Sequence, residues 1–148
     1  MNRISEWTGL IGNIGMLVGL FFLVYEIQVN TNSVRASTYA SWNEAAQSWG
    51  DYLGENSADL SVAMRADSFE ALSEQHRWVV MGLATKSFNQ GQAAFLHHKA
   101  GVITDEVFNS YVSGLIVYMQ RNPILLSVWE QDRNAYAASF VKYIEDQL

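Results

Sequence analysis

The chain contains no cysteine. That excludes disulfides, thioether attachment of haem and thiol catalysis, and it fits either side of a membrane. Proline occurs once, at Pro123, so no proline breaks a helix upstream of it. Basic charge is scarce: nine Lys and Arg stand against fifteen Asp and Glu, a net charge of −6. Without a basic patch, nucleic acid is excluded as a partner. Strand signals are also poor, with no sustained period-two alternation and no Asn-Gly or Asp-Gly turn.

Catalytic patterns are missing as well. His76, His97 and His98 have neither His-Glu-x-x-His nor Glu-x-x-His spacing, which points to core or capping roles and not to metal ligation. No Gly-x-Ser-x-Gly elbow and no glycine-rich phosphate loop occurs. These absences lead to the expectation of a non-enzymatic protein with no catalytic residues, no metal and no cofactor.

What the chain does have is an uncharged apolar run, Trp7–Tyr25 (WTGLIGNIGMLVGLFFLVY). At about 1.5 Å per residue it makes roughly 28 Å of helix, close to the hydrocarbon thickness of a bilayer. Trp7 and Tyr25 sit at its ends, where amphipathic rings prefer the headgroup level. The run is longer than a signal-peptide core, and no small-x-small cleavage site follows it. A buried core helix seldom stays uncharged for this length. The segment reads as an uncleaved, single-pass membrane anchor over residues 1–30, with one helical bundle domain over 31–148. Arg3 and the α-amino group on one side and Arg35 on the other lean only slightly toward a cytoplasmic N-terminus. The side on which the domain lies is therefore open.

The anchor is not uniform around its axis. At 100° per residue, Ser5, Thr8, Gly12, Gly15, Gly19, Leu23, Glu26, Asn30 and Ser33 fall within an arc of about 80°. Lipid-facing types (Leu10, Ile14, Leu17, Phe21) take the opposite side. Gly15-x-x-x-Gly19, extended by Gly12, is a small-xxx-small pattern that lets helix backbones approach closely. Thr8, Gly12, Gly15 and Gly19 are the candidate helix-packing residues. Asn13, off the arc, joins them as an amide that needs an interhelical partner in lipid. Glu26 and Asn30 continue the stripe and could line a pore mouth, since acidic rings select cations.

Past the anchor the spacing is helical throughout. Tyr39, Trp42, Ala46, Trp49 and Leu53 form one stripe. Asn30–Ser33 (NTNS) could cap a new helix, or the anchor could run straight through; the absence of a breaker favours continuity with a bend. A short helix is expected near Ala58–Arg65 and a long central one over Glu74–Lys99, capped by Ser73 and ended by Gly101. The next helix is capped by Thr104, with Asp105 and Glu106 in its first turn. Another begins at Pro123, and a last one spans about Ala138–Gln147. The fold class is all-α: an N-terminal transmembrane helix and a compact bundle of five or six helices.

Two stretches together resemble a broad, uncharacterised bacterial family of single-pass membrane proteins. One is the anchor exit, GMLVGLFFLVYEIQVNTNSVRA from Gly15 to Ala36; the other is FLHHKAGVITDEVF from Phe95 to Phe108. In that family an N-terminal membrane helix ends in a Tyr/Leu-(Glu/Gln)-Ile-x-x-Asn-Thr exit and a small helical domain follows. His98, Gly101, Asp105, Glu106 and Phe108 match its internal motif in order, whereas Gln28 replaces a common basic residue at the exit. The resemblance implies this architecture and a bacterial inner-membrane location, and it carries no activity. The expected function is a scaffold or partner-docking module that self-associates through the glycine face, with membrane lipid and further copies of itself as partners. An ion-conducting homo-oligomeric pore and an accessory subunit of a larger membrane complex are the alternatives.

Overall fold

The computed structural model describes the backbone of residues 2–148 and the side chains of Trp7 and residues 9–148. The protein is all-helical, with six α-helices and no strand among the described residues: α1 Asn2–Glu55, α2 Ser57–Ala63, α3 Glu74–Lys99, α4 Asp105–Arg121, α5 Pro123–Asp132 and α6 Ala138–Glu145. A 3₁₀ turn, Arg133–Ala135, joins the last two. The chain divides into two compact units, Met1–Ala40 and Ser41–Leu148.

The described residues of the first unit all lie within α1. No cap forms at Asn30–Ser33. The Thr31 hydroxyl instead donates to the Ile27 carbonyl at 2.8 Å, and Thr38 does the same to Val34 at 2.9 Å. These back-bonds satisfy the hydroxyls inside a helix, so the chain has no local reason to leave it. One helix is thus long and apolar enough to cross a membrane, and none of its most apolar stretch is buried within the chain.

The second unit is the bundle, built around α3, which packs against α2, α4, α5 and α6. Its buried residues include Val79, Val80, Leu83, Ala84, Phe88 and Ala94, which cover two adjoining faces. That is the pattern of a helix enclosed on more than one side. The small residue Gly91 sits where α4 and α6 close in: a Cβ there would lie 3.2 Å from Phe140 Cζ and would collide with Leu115 Cδ2. Trp129, Phe88 and Phe140, each at most 1 % exposed, fill the centre with edge-on rings.

Helix ends follow their local chemistry. Ser73 Oγ accepts from His76 N at 3.3 Å, and Thr104 Oγ1 accepts from Val107 N at 3.4 Å. Helix α3 stops at Gly101, which takes φ 70°, a value that favours glycine. There Val102 N donates to His97 O and Gly101 N to His98 O, the paired bonds of a Schellman ending. The loop between α2 and α3 was not legible as core, yet Phe69 and Leu72 are buried there. Arg77 holds that loop, its Nε donating to the Leu72 carbonyl at 2.9 Å.

Candidate functional site

Two sets of residues could carry function, one in each unit. In the first unit, α1 brings Gly12, Gly15, Gly19, Glu26 and Asn30 to one helix face, as the helical period requires. A Cβ on Gly12, Gly15 or Gly19 would meet nothing within 4 Å, so this face is open. Asn13 is exposed and lies off the face, and Glu26 and Asn30 are exposed on it. The side chain of Thr8 lies outside the described residues. The opposite side presents Leu10, Ile14, Leu17 and Phe21, all more than half exposed.

In the second unit, the C-terminal part of α1 meets α3 and α4 through long aromatic side chains. Trp42 stacks on Tyr111 with ring centroids 5.8 Å apart, and Trp49 Nε1 donates to Ser87 Oγ at 3.1 Å. Tyr52 donates to the Val79 carbonyl at 2.9 Å, lying over Gly82, where a Cβ would come within 2.8 Å of its Cζ. Rings of this size act as spacers. Between them opens a cleft of about 470 Å³, with Ala46 and Trp49 on its α1 wall and Ser87 and Gln90 on its α3 wall. The α4 wall is one helical stripe, Tyr111, Gly114, Leu115 and Tyr118.

No charged residue lines the cleft. Its serine has no donor to spare, since Ser87 Oγ also donates to the Leu83 carbonyl at 2.9 Å. The Gln90 carbonyl oxygen accepts from the Tyr111 hydroxyl. Burial pushes the Tyr111 phenol up to about 12 and raises that of Tyr118, because the phenolate would lose hydration. Both rings therefore stay neutral around pH 7. The cleft was missed in the sequence because it draws on three separated segments. The one signal was the α4 stripe, where a glycine sits between two tyrosines.

Each histidine of α3 meets a side chain of another helix, His76 that of Asp59, at 3.6 Å. His98 Nε2 lies 2.6 Å from Asp105 Oδ1, and its ring stacks on Phe108 with centroids 4.3 Å apart. This ties the end of α3 to the start of α4. His97 meets Trp42 edge-on at 6.2 Å. Among the described residues, no group of three or more His, Asp or Glu is placed to hold a metal ion.

Compared with known protein families, curated proteins and solved structures, the chain shows no match. Function must be argued from these two sets of residues.

Proposed function

We propose that this chain is a membrane-anchored, non-enzymatic helical module that self-associates through the glycine face of α1. The observation that carries the reading is the exposure of α1. Phe21 is 75 % exposed, Ile11 68 % and Met16 67 %, and their apolar neighbours are similar. Each such side chain left in water forgoes about 1.5–3 kcal/mol, and roughly a dozen of them would forgo more than a domain's whole stability. A bilayer supplies the missing cover, and the length of Trp7–Tyr25 matches it.

Self-association follows from the asymmetry of the same helix. In lipid, helices associate by close packing and interhelical hydrogen bonds, not by the hydrophobic effect. The open face at Gly12, Gly15 and Gly19 allows that approach, while the opposite side offers lipid-compatible chains. Asn13 finds its amide partner on a neighbouring helix. The helical bundle then serves as the scaffold or docking part outside the bilayer. The inner membrane of a bacterium is the proposed location, and it rests on the resemblance carried by the two stretches Gly15–Ala36 and Phe95–Phe108.

The cysteine-free chain makes the test direct. Single cysteines placed at positions 12, 15 and 19 should form disulfide-linked dimers in native membranes under mild oxidation. Cysteines at 14, 17 and 21 should not. Uniform cross-linking at all six positions, or none at any, would contradict a specific glycine interface.

A further inference from the structure

The cleft in the second unit has no role in the anchoring just described, and its chemistry specifies an occupant. Its volume, about 470 Å³, falls in the range of small-molecule sites and would otherwise hold roughly fifteen waters against ring surfaces. Three aromatic side chains, Trp49, Tyr111 and Tyr118, present ring faces or edges to it. No Lys, Arg, Asp, Glu or His lines it, so nothing there would pay for desolvating a charged ligand.

Two polar groups stay available. The Gln90 carbonyl oxygen is used by Tyr111, which leaves the amide N–H₂ without a partner among the described residues. The Tyr118 hydroxyl likewise makes no hydrogen bond among them, although its ring is half-buried. Both groups donate, so they call for acceptor oxygens. Ser87 cannot compete, because its hydroxyl is already bonded to Trp49 and Leu83.

We infer that the cleft between α1, α3 and α4 binds an uncharged, planar ring compound bearing carbonyl oxygen. The rings pack against Trp49 and Tyr111, and the carbonyl oxygen accepts from the Gln90 amide and the Tyr118 hydroxyl. This site is independent of the membrane reading. It requires only the fold of the bundle.

Gly114 supplies the decisive variant. It lines the cleft, it is exposed on α4, and a Cβ there meets nothing within 4 Å. Gly114→Phe therefore fills the cleft without disturbing the core. The probe is 2-methyl-1,4-naphthoquinone, neutral and planar, whose absorption overlaps tryptophan emission; the chain has no cysteine for it to alkylate. The full chain in mild detergent is titrated by tryptophan fluorescence, with empty micelles and the anionic 1,4-naphthoquinone-2-sulfonate as comparators. Saturable quenching by the neutral quinone is expected. Its affinity should fall at least tenfold in Gly114→Phe and about three- to tenfold in Tyr118→Phe, the loss of one hydrogen bond. The sulfonate should bind at least tenfold more weakly. Non-saturable quenching, or equal affinity in wild type and Gly114→Phe, overturns the inference. So does a change in oligomeric mass of Gly114→Phe without any quinone binding, which would make the cleft a contact between copies.

Discussion

Gly91 and Gly114 are both glycines inside helices of the bundle, yet the same change to alanine should move stability in opposite directions at the two positions. Alanine in a helix interior is favoured over glycine by about 0.5–1 kcal/mol, because glycine loses more backbone freedom on folding. At Gly114 a Cβ finds open space, so Gly114→Ala should express that gain in full. At Gly91 the new Cβ would lie 3.2 Å from Phe140 Cζ and collide with Leu115 Cδ2. Phe140 is fully buried, with Phe95 at 5.7 Å and Trp129 at 5.9 Å between ring centroids, so it has no room to turn. Leu115 must move instead. Overpacking of this kind costs about 1–3 kcal/mol. After the helical gain, Gly91→Ala should destabilise by up to about 2 kcal/mol, leaving a gap of about 1–3 kcal/mol between the two variants. Urea unfolding of the full chain in mild detergent, followed by tryptophan emission, measures both; Trp129, 1 % exposed, reports on the core. If the two variants stabilise equally, the packing of α3 against α4 and α6 described above is wrong.

Other outcomes follow from the same geometry. Phe140→Ala should cost about 3–5 kcal/mol in the same assay, since it empties the site of a ring with no exposed surface; a loss below about 1 kcal/mol would refute its place at the centre. Tyr111 gives a pH signature. Its phenol is held at about 12 against an unfolded value of 10.0, so the stability it contributes is fully present below pH 10 and lost as pH rises toward 12. Because the ring is only half-buried, solvent screening reduces this to about 1 kcal/mol. The stability difference between wild type and Tyr111→Phe should shrink by that amount from pH 10 to 12, and parallel curves would refute it. Gly82→Ala should displace Tyr52 from the Val79 carbonyl, and the lost hydrogen bond, about 1 kcal/mol, should offset the helical gain of about 0.5–1 kcal/mol; a rise in urea midpoint equal to that of Gly114→Ala would refute the contact.

Much of the fold was legible because its punctuation is local. Ser73, Gly101, Thr104 and Pro123 each act on the turn beside them, and the structure places each at the helix end expected. The continuity of α1 was legible for the opposite reason, the lack of any breaker between Tyr25 and Gly50. Phe69 and Leu72 were not legible, because buried loop residues follow no period. The cleft was less legible still. Trp49 and Ser87 are 38 positions apart and meet through a single hydrogen bond, and the space between the helices depends on ring sizes that no spacing rule encodes. The placement of Gly12, Gly15 and Gly19 on one side of α1 was legible, since the period of a single helix sets it.

That face carries the central claim, and its most direct test is the mass of the full chain extracted in mild detergent, with the bound detergent subtracted. The account predicts an oligomer for the wild type and a monomer when Gly15 and Gly19 are both replaced by isoleucine, with helical content unchanged. An oligomer of the same mass in the Gly15→Ile, Gly19→Ile variant, or a monomeric wild type, would contradict it.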